Sequence, residues 1–116
     1  LANPLVFFAG AAYWILINSV LEEYVWRWFV VKQAEVLLPP LGAVLLSALG
    51  FTLHHIIAMQ VFFNWTTVAI CSLGIFIGGA IWSGLYIKYR SIWPGYLSHA
   101  IVDVCIFAIG AYIILT

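Results

Sequence analysis

The sequence predicts an all-α integral membrane bundle of about four transmembrane helices. Three observations lead there. Hydrophobic residues make up 66% of the 116 and charged ones 7%, against roughly 25% charged in a soluble domain, so the chain has too little polar surface to face water. Its apolar runs lack the strict alternation of an outer-membrane strand. Proline, asparagine and glycine divide those runs into four stretches, each long enough for a hydrocarbon core of about 30 Å.

The first stretch runs from about Pro4 to Val31 and is long for one span. No basic region precedes it, so it does not read as a cleavable signal peptide. Its last third holds Glu22, Glu23, Arg27 and Lys32 and is expected to approach the end of the hydrocarbon. In KQAEVLLPPLG, Pro39 stops that helix and Pro40 opens the next. The second stretch reaches about Phe62, with His54 and His55 deep inside it. FNWT is a turn, with Asn64 as the N-cap. The third stretch runs from about Trp65 to Tyr89. Its Gly74, Gly78, Gly79, Ser83 and Gly84 mark a close-packing spine without chemistry of its own. The fourth starts near Pro94, after KYRSIWPG, and runs to the chain end. Residues 1–116 thus read as a single transmembrane domain. The chain begins with Leu1 rather than Met, so a fragment of a longer protein is an open alternative. Cys71 and Cys105 lie in apolar runs and are expected to behave as small buried hydrophobes.

Charge sets orientation and excludes one class of partner. Arg27 and Lys32 end the first stretch, and Lys88 and Arg90 end the third, so all four fall at one end of a hairpin arrangement. That end is expected to be cytoplasmic. The four basic residues balance the four acidic ones, and no basic patch argues for nucleic acid. The lipid bilayer is the expected partner surface.

Polar residues inside such a chain are costly, at roughly 2.5–3.5 kcal/mol per charge at the bilayer centre on insertion scales. They are Glu22, Glu23, Arg27, His54, His55, His99 and Asp103. Glu23 and Arg27 are spaced i,i+4 and can pair on one helix face. Glu22 points about 100° away from Glu23, which leaves it unpaired. His99 and Asp103 share a face by the same spacing. His54 and His55 diverge, so at most one points directly at a shared centre. Pro39 is nearly equidistant in sequence from Glu22 and His55, which sets those two at similar depth on antiparallel helices; His99 looks shallower.

In order, EEYVWR, FTLHH and HAIVD resemble the CPBP family of intramembrane proteases, named for CAAX proteases and bacteriocin-processing enzymes. The family pattern is EExxxR, FxxxH and HxxxN or an HxxxD-like variant, each on its own membrane helix. Glu22, Glu23 and Arg27, then Phe51 and His55, then His99 and Asp103 match it. Each motif alone is weak; three in order over roughly residues 19–107 are specific. The resemblance implies peptide-bond hydrolysis by a glutamate-activated water: Glu22 as general base assisted by His55, His99 as oxyanion donor with Asp103 beside it, Glu23 and Arg27 orienting the site. Asp103 departs from the asparagine of the eukaryotic CAAX enzymes and bears on substrate choice. The implied substrate is a membrane-embedded or lipid-anchored peptide or protein. The implied setting is a bacterial or archaeal plasma membrane, with the site open to the cytoplasmic side.

Two alternatives stand beside this reading. Glu22, His55, His99 and Asp103 are also zinc-ligand types. No HExxH occurs and Arg27 puts a cation at the site, so no cofactor is favoured and zinc is the competing chemistry. The chain could also be a non-catalytic binding or bacteriocin-immunity protein of the same fold. A histidine–carboxylate proton or ion pathway is a third class.

Overall fold

The computed structural model describes residues 3–115, in which four helices are connected by short turns. Leu1, Ala2 and Thr116, the ends of the expected 1–116 domain, lie outside the described residues. Helix α1 spans Pro4–Ala34, α2 Pro40–Met59, α3 Trp65–Tyr89 and α4 Trp93–Leu115. All four are long and apolar enough to cross a membrane.

The local signals explain the boundaries. The Asn3 side chain accepts from the Leu5 amide at 2.9 Å and caps α1. Pro40 opens α2 after an extended Pro39. Asn64 caps α3 by accepting from the Thr67 amide at 2.9 Å. Arg90 ends α3 in the left-handed conformation, φ 51°, which turns the chain into α4. Helix α2 stops at Met59, short of the expected Phe62, because the Phe62 and Phe63 amides both turn back to the Met59 carbonyl.

Helix α1 is not uniform. It is α-helical over Pro4–Tyr13 and Ser19–Glu23, with π-helical stretches at Trp14–Asn18 and Tyr24–Val31. The short α turn that carries both glutamates is therefore flanked by wider turns, an irregularity that often accompanies functional sites. Each π stretch offers a carbonyl to a neighbouring helix. The Tyr96 hydroxyl of α4 donates to the Leu16 carbonyl at 3.0 Å, and the Ser47 hydroxyl of α2 donates to the Trp26 carbonyl at 2.7 Å.

Apolar side chains face outward and polar ones inward, as a lipid-solvated protein requires. Leu5, Leu37, Phe62 and Tyr112 are exposed, whereas Ser19, Glu23, Arg27, Ser47 and Ser83 are buried. Helices α2 and α3 form the largest interface. Two of the five small residues expected to pack α3 do so. A β-carbon on Gly79 would stand 3.1 Å from the Phe51 ring and 3.3 Å from Arg27 Nη2, and the buried Ser83 hydroxyl donates to Ser47 at 3.2 Å. Gly74 and Gly84 face open space, so the spine is shorter than expected. Nor is α3 without polar function, since its Gly79 carbonyl accepts from Arg27. Cys71 and Cys105, expected inside, are exposed; on a lipid-facing helix an apolar run does not imply burial.

At the turn end of the bundle, Val31 and Ala34 of α1 pack with Ala43 of α2 and Tyr86 of α3. Arg90 bridges to Glu35 there. This small cluster packs the two turns together at that end of the bundle.

Candidate active site

Three helices bring their motif residues to one point. Glu22 and Glu23 come from α1, His55 from α2, and His99 and Asp103 from α4. Glu22 Oε2 lies 3.5 Å from His55 Nε2, and Glu22 Oε1 lies 3.8 Å from His99 Nε2. His99, only six residues into α4, thus reaches the same centre as Glu22 and His55.

The two glutamates have different surroundings, as their angular separation predicts. Glu23 is fully buried and lies 3.1 Å from Arg27 Nε. Its other oxygen faces His99 Nδ1 at 3.4 Å. Arg27 itself is anchored elsewhere: its Nη2 donates to the Gly79 carbonyl at 3.1 Å, and its guanidinium sits 4.4 Å over the Phe51 ring. Glu22 pairs with no arginine. Its Oε1 accepts from the Asn18 side chain at 2.8 Å, which orients the carboxylate with Oε2 turned to His55.

The histidines are held by aromatic and backbone groups. His55 Nδ1 lies 2.8 Å from the Phe51 carbonyl. A carbonyl only accepts, so Nδ1 carries the proton and Nε2 is the nitrogen presented to Glu22. Trp82 of α3 stacks on the His99 ring at 4.1 Å and 9°, and its indole N–H is anchored on Ser98 at 3.1 Å. His99 stands among three carboxylates, with Asp103 Oδ2 3.7 Å from Nε2. That spacing is too long for the direct His99–Asp103 hydrogen bond that a carboxylate–histidine pair suggests. Instead the buried Ser19 hydroxyl donates to Asp103 Oδ2 at 2.7 Å.

Sequence reasoning missed four participants. Asn18 was findable, since it lies i−4 from Glu22 on the same face. Ser19 was not, because a hydroxyl partner 84 positions away has no local signature. Trp82 sits in a run that reads as packing. Gly95 allows close approach at a helix start, where an added β-carbon would meet Glu23 Oε1 at 3.3 Å.

A cavity of about 730 Å³ opens beside His55, Trp82, His99 and Asp103 and continues past Gly78, Ile106 and Met59. Apart from the site residues its walls are apolar. By topology it runs toward the bundle end remote from the Arg90 turn. The site was expected to open to the basic end; this cavity extends the other way, because α2 ends early at Met59 and Gly74 and Gly78 leave room on α3.

Among the described residues, one group of metal-type ligands lies together: atoms of Glu22, His54 and His55 within 4.8 Å of one another. It differs from the zinc set suggested by the motifs, in which His99 and Asp103 complete the ligands. His54, exposed and beside the Trp26 ring, therefore reaches the Glu22 carboxylate as well.

Comparisons agree with this arrangement at the level of family. No curated protein and no solved structure matches the chain. The family model of type II CAAX prenyl endopeptidases, Rce1-like, matches residues 4–105, which include every motif residue above. This family comprises membrane-embedded proteases acting on membrane-associated substrates, and four spanning helices with an interior polar centre suit it. The chain is an integral membrane protein and belongs to the Rce1-like type II CAAX prenyl endopeptidase family.

Proposed function

We propose that the chain is an intramembrane endopeptidase that hydrolyses a peptide bond with a water activated by Glu22. The observation that carries this is the placement of an arginine-free, oriented carboxylate between His55 Nε2 and His99 Nε2, at 3.5 and 3.8 Å, two histidines that line an apolar cavity. Glu22 takes the water proton as the oxygen attacks the scissile carbonyl carbon. His55 Nε2, the unprotonated ring nitrogen, accepts the water's second proton in a hydrogen bond and holds the water in line with Glu22. An N–H of His99 donates to the developing oxyanion, a contribution of roughly 10²–10³ in rate for one such donor. The C–N bond then breaks, and the proton held by Glu22 passes to the leaving amine. Glu23 and Arg27 form the support on which His99 rests. Asp103, already accepting from Ser19, holds position near His99 and is not the oxyanion donor.

The substrate is a membrane-embedded or lipid-anchored peptide or protein whose apolar part lies in the cavity. The basic end of the bundle faces the cytoplasm in this reading, and the cavity gives access to the site from the opposite side. This reading needs no metal: the Arg27 cation close to the site disfavours one, and Glu22 acts as the base itself.

The test is cleavage of a membrane-anchored peptide by the reconstituted protein. Turnover should survive a membrane-permeant zinc chelator and be lost in Glu22→Gln. A stoichiometric zinc whose removal stops turnover and whose return restores it overturns the metal-free chemistry. A Glu22→Gln protein that still performs the chain's cellular role would show a non-catalytic binder of the immunity type.

A further inference from the structure

FTLHH carries two histidines, and the hydrolytic reading uses one. His54 is exposed, yet one of its ring nitrogens lies within 4.8 Å of ligand atoms on both Glu22 and His55. We propose that Glu22, His54 and His55 form a binding site for a divalent transition-metal ion of the zinc type, and that occupancy shuts the protease off. The proposal rests on the reading of Glu22 as the base.

The ligand geometry is close to what zinc needs. Zinc–nitrogen and zinc–oxygen bonds of about 2.0–2.2 Å place tetrahedral neighbours about 3.3 Å apart. Glu22 Oε2 and His55 Nε2, at 3.5 Å, already stand at that spacing. The third ligand must close by at most about 1.5 Å, and His54 is the exposed, unburied member that can rotate to do so. Both fixed ligands carry the outer-shell support typical of metal sites. His55 Nδ1–H is engaged by the Phe51 carbonyl, which turns the Nε2 lone pair toward Glu22. Glu22 Oε1 is engaged by Asn18, which leaves Oε2 as the ligand oxygen. With Nδ1 carrying the proton, a lone pair of His55 faces a lone pair of Glu22 across 3.5 Å, an arrangement a cation between them stabilises.

Inhibition follows from which carboxylate is consumed. A catalytic zinc site keeps an open position and a separate general base. Here the metal takes the base itself. The remaining buried carboxylates are committed: Glu23 to Arg27 and His99, Asp103 to Ser19. His99 stays outside the ligand set, so the oxyanion side of the site is untouched and the water-activating side is blocked.

The experiment uses the full chain, stripped with chelator and reconstituted, with zinc chloride as the probe. Bound zinc is measured by equilibrium dialysis and elemental analysis, and peptide cleavage is measured in parallel. The expected result is one zinc per chain and loss of cleavage over the same concentration range. His54→Ala should keep the cleavage rate of the stripped protein and weaken both zinc binding and inhibition by at least about 10-fold, the low end even for loss of an outer-shell partner. His54 is exposed, so the variant tests ligation rather than packing. Zinc binding and inhibition unchanged in His54→Ala would overturn the site and leave the glutamate mechanism standing. Zinc that binds through His54 but restores rather than stops cleavage would overturn the inhibitory role and the metal-free mechanism together; dialysis distinguishes the two failures.

Discussion

Two arginine–carboxylate pairs stand among the described residues, and the better-formed one is in the less important place. At the turn end, Arg90 grips Glu35 with two parallel hydrogen bonds of 2.6 and 2.7 Å. At the polar centre, Arg27 meets Glu23 at 3.1 Å through one nitrogen, at an angle too poor for a hydrogen bond. Yet Arg90 is 55% exposed whereas Arg27 and Glu23 are 1% and 0%. Water screens the first pair and leaves it worth little. The second is desolvated, and each ion would cost several kcal/mol without its partner. Geometry ranks the pairs one way and environment the other, and environment decides which residues matter. The inner pair also keeps polar atoms turned toward His99 instead of using them all on each other, as expected where a charge pair supports a neighbouring group.

The most severe test of that contrast is Glu22→Gln. The substitution keeps shape and the Asn18 contact but removes the proton acceptor. Turnover should fall by about 10²–10⁴, the usual contribution of a positioned base, while thermal unfolding in detergent stays near that of the parent. Near-normal cleavage would remove Glu22 from the chemistry and with it the functional reading of the polar centre.

Next comes stability at the inner pair. Glu23→Gln or Arg27→Ala leaves an uncompensated buried charge and should destabilise by about 3–5 kcal/mol. A charge-neutral double variant, Glu23→Gln with Arg27→Met, should recover much of that loss, because neither ion then remains unpaired. A double variant as unstable as the sum of the singles would mean that the residues act independently and that the pairing is incidental.

How far the sequence announced this centre depends on the range of each interaction. The four spans were legible because apolar length and Pro, Asn and Gly punctuation are local, and α3 is found at its expected bounds, Trp65–Tyr89. The split between Glu22 and Glu23 was legible because angular position on a helix follows from spacing. The π stretches on either side of the glutamates were not, since they depend on neighbouring helices that draw out the Leu16 and Trp26 carbonyls. Ser19 with Asp103, and Trp82 on His99, are contacts between helices that no periodicity encodes. Burial was misread for Cys71 and Cys105 for a related reason: in lipid, apolar character no longer separates inside from outside.

Asp103 sharpens the comparison at smaller scale. The Ser19 hydroxyl lies 2.7 Å from its Oδ2 and 3.1 Å from the Trp14 carbonyl, so a single hydroxyl proton faces two oxygens, of which Asp103 is the nearer. Asp103→Asn should keep the fold and part of the activity, since the amide oxygen can still accept from Ser19. Asp103→Ala should lose more, because it removes the side chain beside His99 altogether, while the Ser19 hydroxyl keeps the Trp14 carbonyl as a partner. Ser19→Ala should resemble Asp103→Asn in direction, with cleavage reduced but measurable. A Ser19→Ala protein with unchanged cleavage and stability would show that the hydrogen bond positions nothing.

The smallest effect belongs to the outer pair, and its sign with pH is fixed. The Arg90 hydrogen bonds hold the Glu35 carboxyl below its usual range. A depressed carboxyl contributes stability above its unfolded pKa of about 4.3 and loses it as pH falls through the lower folded value. At neutral pH, Glu35→Gln should therefore unfold slightly earlier than the parent. Below the ordinary carboxylate range that gap should close, because the parent's Glu35 is then protonated too. Added salt should narrow the gap at neutral pH, since Arg90 is exposed to screening. Cleavage should be unchanged throughout. The measurement is a pair of unfolding curves, one neutral and one acidic, beside one activity assay. A gap that persists in acid would assign Glu35 a role other than its charge. A Glu35→Gln protein that loses cleavage would show that the turn-end cluster of Val31, Ala43 and Tyr86 transmits its geometry to the polar centre, and the two regions would then have to be treated as one.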